Sequence, residues 1–262
     1  MRGRFFAVVG LAVIAAVFAA PRHAAADALD DIMKRKVIKI AVPQDFAPFG
    51  SAGPDLKPIG YDIDMANLIG KELGVKVELV PVNSANRIPY LQTRKVDLVI
   101  SSLGKNPDRE KVIDFSKAYA PFFQGVFGLK DAKIDKPEDL AGKTVGSTRG
   151  AIEEQEITKL APSSTTIKRY EDNNATIAAF LSGQVDIIAT GNVVAAAIAE
   201  KSPARAPVSK FVIKDSPCFI GLNKEEPRLL EKVNDIIDKA KASGELSKIS
   251  EKWLKAPLPS SI

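Results

Sequence analysis

An alternation of apolar strands with amphipathic helices predicts an α/β protein in two lobes, each built on a mostly parallel sheet. Three observations point to it. Short apolar runs such as V-I-K-I-A-V and V-D-L-V-I alternate with helical segments in the first half of the chain. A second series of the same kind follows, in which L-S-G-Q-V-D-I-I-A resembles the earlier L-Q-T-R-K-V-D-L-V-I. The remaining tail has no strand partners of its own, so it is expected to return to the first lobe.

In the first series, 37–42 reads as a buried strand followed by the loop P-Q-D-F-A-P-F-G. Asp62 or Asp64 is expected to cap a helix whose Ala66, Ile69 and Leu73 share one face, with Gly74 ending it. A strand at 75–80, a short helix at 87–94 and a strand at 96–100 follow. The second series begins after 122–129, with strands at 143–146, 166–169 and 185–189 and helices at 151–160, 173–181 and 193–200. After a strand at 208–213, the strand 218–222 leads to a long helix at 227–243, stopped by Gly244, and a last helix carries Trp253. The predicted division is 1–26 as an export signal, 27–124 with 219–262 as the first lobe, and 125–218 as the second. The chain then crosses between lobes twice, near 121–130 and 214–220. Two crossings make a hinge and set a cleft between strand C-termini, where α/β sheets hold ligands.

The N-terminus has the form of a secretion signal: Arg2 and Arg4, an apolar run from Phe5 to Ala20, and Ala24-Ala25-Ala26 at the expected cleavage point. The apolar run is too short for a membrane span, and Pro21 follows it. Removing Arg2, Arg4 and Arg22 from the 37 basic residues leaves 34 against 32 acidic ones, so the net charge falls from +5 to about +2. No basic cluster suggests nucleic acid. The only histidine, His23, leaves with the signal, and with it any Ser-His or Cys-His couple or histidine metal site. Cys218 is the only cysteine, so no internal disulfide is expected. No cofactor, metal or catalytic residue is assigned, and the reading is a binding protein rather than an enzyme.

Ser84, Arg87, Ser102 and Arg109 fall in loops at the ends of the first-lobe elements. Guanidinium groups beside hydroxyls make a place for a small anionic solute, because a planar guanidinium grips a carboxylate with two parallel bonds. Thr148 and Arg149, in G-S-T-R-G-A, precede a second-lobe helix whose exposed N–H groups attract anions.

Along essentially all of its mature length the chain resembles the polar amino-acid-binding proteins of bacterial ABC importers. The blocks that carry this are G-Y-D-I-D-M-A-N-L-I-G-K-E-L-G, I-P-Y-L-Q-T-R-K-V-D-L-V-I, P-D-R-E-K-V-I-D-F-S and the closing E-K-W-L. The resemblance implies the two-lobe fold of type II periplasmic binding proteins, joined by a two-strand hinge. It also implies an exported, monomeric protein that closes on a small-molecule ligand in the periplasm and docks on an inner-membrane permease. N-R-I-P-Y-L-Q and N-P-D-R are most similar to the glutamate/aspartate-binding branch. That likeness makes Arg109 the holder of the α-carboxylate, Ser84, Arg87 and Ser102 ligand contacts, Phe46 the aromatic of the cleft and Thr148 a hydroxyl from the second lobe.

Departures from the family pattern accompany the likeness. Gly104 and Ala151 stand where the family commonly has hydroxyl residues, and Pro43 and Asn173 replace an arginine and a histidine of the acidic branch. Asn173 is counted with the ligand contacts, as is Arg149. Gly191 replaces an aspartate that pairs with the ligand's α-ammonium. Either Glu153, Glu154 or Asp172 supplies that charge, or the solute is an organic acid without an amino group. An enzyme on the same scaffold, related to the periplasmic dehydratases, would use Glu153 or Glu154 as its acid or base.

Overall fold

The computed structural model describes residues 27–262, so the export segment expected at 1–26 lies outside the described residues. Two five-stranded sheets form the frame. The first runs, edge to edge, Lys76–Val82, Val37–Pro43, Leu98–Leu103, Cys218–Asn223 and Ile113–Ala120. The second runs Thr166–Tyr170, Thr144–Thr148, Ile187–Gly191, Phe123–Gly128 and Val208–Asp215. In each, the first three strands pair in parallel and the last two pairings are antiparallel. The sheets are therefore evenly mixed rather than mostly parallel, because the strands at the crossings turn back without an intervening helix. Leu98–Leu103 and Ile187–Gly191, which follow the two V-D pairs, hold the same third position in their sheets.

The chain passes between sheets at 121–122 and again at 216–217. The two connections are neighbours: Phe123 faces Asp215 in the ladder, and Gln124 Nε2 donates to the Ser216 carbonyl at 3.4 Å.

Helices cover the sheets by burying one apolar stripe each. Tyr61–Leu73 buries Met65, Ala66, Ile69 and Leu73 and ends at Gly74 in the left-handed conformation. Neither Asp62 nor Asp64 caps it; Gly60 holds that place. Acids in the first turn read as caps in the sequence, but these two have tertiary partners. Asp62 accepts hydrogen bonds from the Ser102 backbone N–H at 2.7 Å and the Tyr119 hydroxyl at 2.5 Å. Asp64 accepts the Trp253 indole N–H at 2.7 Å, tying the last helix, Glu245–Leu254, to the first lobe. The long helix Pro227–Ala242 packs Leu229, Val233, Ile236 and Ile237 inward, each worth about 1.5–3 kcal/mol when fully buried.

Several elements were not anticipated from the sequence. Among them are the helix Ala28–Arg35, capped by Asp27, the helix Pro107–Glu110, the strand Ile113–Ala120, and a three-stranded sheet of Asp45–Phe46, Gly50–Ala52 and Pro58–Ile59. The small sheet carries Asp45 and Phe46 to the mouth of the cleft between the lobes.

Candidate functional site

A cavity between the lobes is lined from the first by Asp45, Phe46, Ser84, Arg87 and Ser102, and from the second by Ile152, Glu153 and Asn173. With the lobes shut, the cavity volume is only about 20 Å³, room for a water rather than a solute.

Arg87 opens the short helix Arg87–Gln92 and is 5% exposed. Its Nη1 donates to the Ser101 carbonyl at 2.8 Å and its Nε to the Ser84 carbonyl at 3.2 Å, while Nη2 reaches the Gly150 carbonyl of the other lobe at 3.5 Å. Arginine has five N–H donors, so some remain for the cavity. Burial pulls its pKa below the ordinary range, while Glu153 and Asp45 pull it back up.

Arg109 is also buried, but its side chain lies behind the cavity wall and does not line it. Nη1 donates to the Gly104 carbonyl at 2.8 Å and Nη2 to the Gly150 carbonyl at 3.0 Å. Burial and the neighbouring Arg87 push it down to about 9. Its Nε has no partner among the described residues. The two guanidinium groups thus converge on one carbonyl across the cleft. Gly150 suits that role through its positive φ of 75°, and a Cβ there would lie 2.7 Å from Ala85 Cα.

Thr148 is buried but stands one step back from the cavity. Its hydroxyl donates to Asn173 Oδ1 at 2.9 Å and lies 2.7 Å from the Thr176 hydroxyl. It orients Asn173, which crosses to Asp45 of the first lobe. Asn173 donates to Asp45 Oδ2 from its backbone N–H at 2.7 Å and from Nδ2 at 3.1 Å. Arg149 does not belong to the group. Its side chain is more than half exposed and 3.8 Å from Glu171, because the turn before the helix aims it outward.

The departures form one packing solution. A Cβ on Gly191 would fall 2.0 Å from Phe122 Cζ, so the Phe122 ring occupies the room a longer side chain would need. Over Gly104, Ile152 Cδ1 would sit 2.8 Å from a Cβ. Ala151 and Ile152 thus make part of the wall apolar. The acids near the cavity fare differently. Glu154 is taken by Arg169 Nε at 2.6 Å, and Asp172 caps the helix Asn173–Leu181 through the Ala175 N–H at 2.7 Å. Glu153 is 5% exposed and lines the cavity. Burial raises its pKa, against its own backbone N–H and the charges of Arg87 and Arg109. Asp45, Ser101 and Phe122 also line the cavity and were not foreseen.

Known proteins identify the family and the fold. The family model for bacterial extracellular solute-binding proteins, family 3, matches residues 38–256. The ABC transporter glutamine-binding protein of Bacillus subtilis is 29% identical over 241 residues, covering 90% of this chain and 88% of that protein. The glutamate/aspartate import solute-binding protein of Salmonella typhimurium is 28% identical over 253 residues, covering 90% and 82%. The acidic branch is thus one of several with similar relatives. Among solved structures, the ancestral amino acid-binding protein AncCDT-1, a precursor of cyclohexadienyl dehydratase, is similar with a TM-score of 0.79 and 35% identity, covering 86% of this chain and 99% of that one. With its two mixed sheets, its interlobe cavity and a family match over most of its length, the chain belongs to the bacterial extracellular solute-binding proteins of family 3.

Proposed function

We propose that this protein captures a polar amino acid of the glutamate, aspartate or glutamine type in the periplasm and delivers it, as a monomer, to the permease of an ABC importer. The observation that carries the reading is Arg87, a buried guanidinium with donors to spare at a cavity both lobes line. A charge held there without an anion is costly, and a solute carboxylate relieves it. Ser84 and Ser102 add hydroxyls, Phe46 and Phe122 add apolar walls, and Arg109 backs the site with a second positive charge.

The first lobe takes the solute and the second shuts over it. Gly150 on Arg87 and Arg109, and Asn173 on Asp45, are contacts that exist only when the lobes meet. A solute touching both lobes therefore shifts the open–closed equilibrium, and the permease reads the shut form. Calorimetric titration with glutamate, aspartate, glutamine, arginine and cystine, and with 2-oxoglutarate and succinate, tests this. Heat with an amino acid is expected; heat with the organic acids alone overturns it.

A second reading draws on Glu153, a buried carboxyl on the cavity wall whose pKa burial raises, as an acid catalyst of the dehydratase kind would use. It requires turnover of prephenate or arogenate that is lost in Glu153→Gln, and no turnover by the intact protein removes it.

A further inference from the structure

The acids around the cavity are not equivalent. Asp45 has one oxygen committed to two N–H groups of Asn173, and Asp62 has both oxygens committed to Ser102 and Tyr119. Glu154 is bound by Arg169 and by the Gly150 N–H, and Asp172 is a helix cap. Among the described residues Glu153 alone is a buried acid on the cavity wall that accepts no side-chain hydrogen bond or ion pair; only its own backbone N–H serves it. A carboxylate in that position calls for a cation, since burying one without a partner is expensive. Arg87 and Arg109 raise the local potential but lie outside salt-bridge contact with it and are engaged by backbone carbonyls.

Deepening the amino-acid reading above, on which it rests, we propose that Glu153 receives the ammonium group of the solute and so sets the requirement for an amino group. The helix Ile152–Leu160 presents Glu153 from the second lobe, and the short helix of the first lobe presents Arg87. A solute spanning the two offers a carboxylate to Arg87 and an ammonium to Glu153, so the class selected is a zwitterionic amino acid. The end of the strand Ile187–Gly191 is not available for the purpose, since Phe122 fills the space in front of Gly191. Closure and selection then coincide, because the group that recognises the ammonium arrives with the lobe that shuts.

The test is titration of the intact exported protein and of Glu153→Gln with glutamate and glutamine, and with 2-oxoglutarate as the analogue lacking the amino group. The intact protein is expected to prefer an amino acid over 2-oxoglutarate by about tenfold or more. Glu153→Gln is expected to weaken amino-acid binding by a similar factor while 2-oxoglutarate binds as well or better. An intact protein that binds 2-oxoglutarate as tightly as the amino acids overturns the inference without any variant. A folded Glu153→Gln protein that holds the amino acid within about twofold of the original, where one unit of pKa or tenfold of affinity is about 1.4 kcal/mol, overturns the Glu153 assignment and leaves the amino-acid reading standing. Binding of organic acids and no amino acid removes both. Glu153→Asp, which keeps the charge on a shorter arm, is expected to fall between the two if Gln fails to fold.

Discussion

Asp45 and Asn173 join the two lobes at the mouth of the cavity: one carboxylate oxygen accepts both the backbone N–H and the side-chain amide of Asn173, at 2.7 and 3.1 Å. The backbone donor is the first N–H of the helix Asn173–Leu181, an otherwise unpaired group that favours an anion. Charge-assisted bonds of this sort contribute about 1.5–3 kcal/mol each. Asp45→Ala is therefore expected to weaken ligand binding by about tenfold or more, chiefly through faster release measured by stopped-flow fluorescence. Unchanged release would show that the pair does not hold the lobes together.

Asp62 makes stability depend on pH. Burial pushes its carboxyl up to about 7, against the lowering effect of hydrogen bonds from Tyr119 and Ser102. The folded protein therefore keeps a proton that the unfolded chain, near the ordinary carboxylate value of 3.8, gives up first. This contribution is full below about 4 and is lost as pH rises through 7, with a slope of at most about 1.4 kcal/mol per pH unit. Asp62→Asn removes the titration, so its denaturant midpoint is expected to change less between pH 4 and 7 than that of the original protein. Equal slopes for the two would remove Asp62 as the source.

Arg109 and Arg149 look alike in the sequence, each an arginine in a loop beside a helix, and the structure separates them. Arg109 is buried and bonded to carbonyls of both lobes, whereas Arg149 is exposed beside Glu171. Arg109→Ala is expected to weaken binding by about 2 kcal/mol or more, and Arg149→Ala to stay within about 0.5 kcal/mol. Calorimetry on the two variants decides it; equal losses would return Arg149 to the site.

The frame was legible because strand and helix periodicity are local signals. The run V-I-K-I-A-V and the long helix from Pro227 appear within a residue or two of their expected bounds. Arg87, Ser84, Ser102, Phe46 and Asn173 do line the cavity. The sequence was silent on direction. It could not tell that Thr148 turns inward to Asn173, that Arg149 turns out, or that the helix turn carrying Glu153 and Glu154 aims one acid at the cavity and the other at Arg169. Asp45 and Phe122 were missed for the same reason. Their roles come from contacts between segments distant in the chain, Asp45 with Asn173 and Phe122 with Gly191, and no local period reports those.

Gly191 and Phe122 give a test of the packing that closes this part of the cavity. A methyl group at position 191 would fall 2.0 Å from the Phe122 ring, and the strand Ile187–Gly191 is buried along its whole length, so the backbone has little room to yield. Overpacking of this kind costs about 1–3 kcal/mol. Gly191→Ala is expected to lower Tm by several degrees in a chain of this size. Phe122→Ala opens the space the methyl group needs, so the two substitutions are expected to be coupled. The double variant should lose less stability than the two single losses added together. Thermal denaturation of the four proteins measures the coupling, and strict additivity would mean that the ring and position 191 do not compete for the same space.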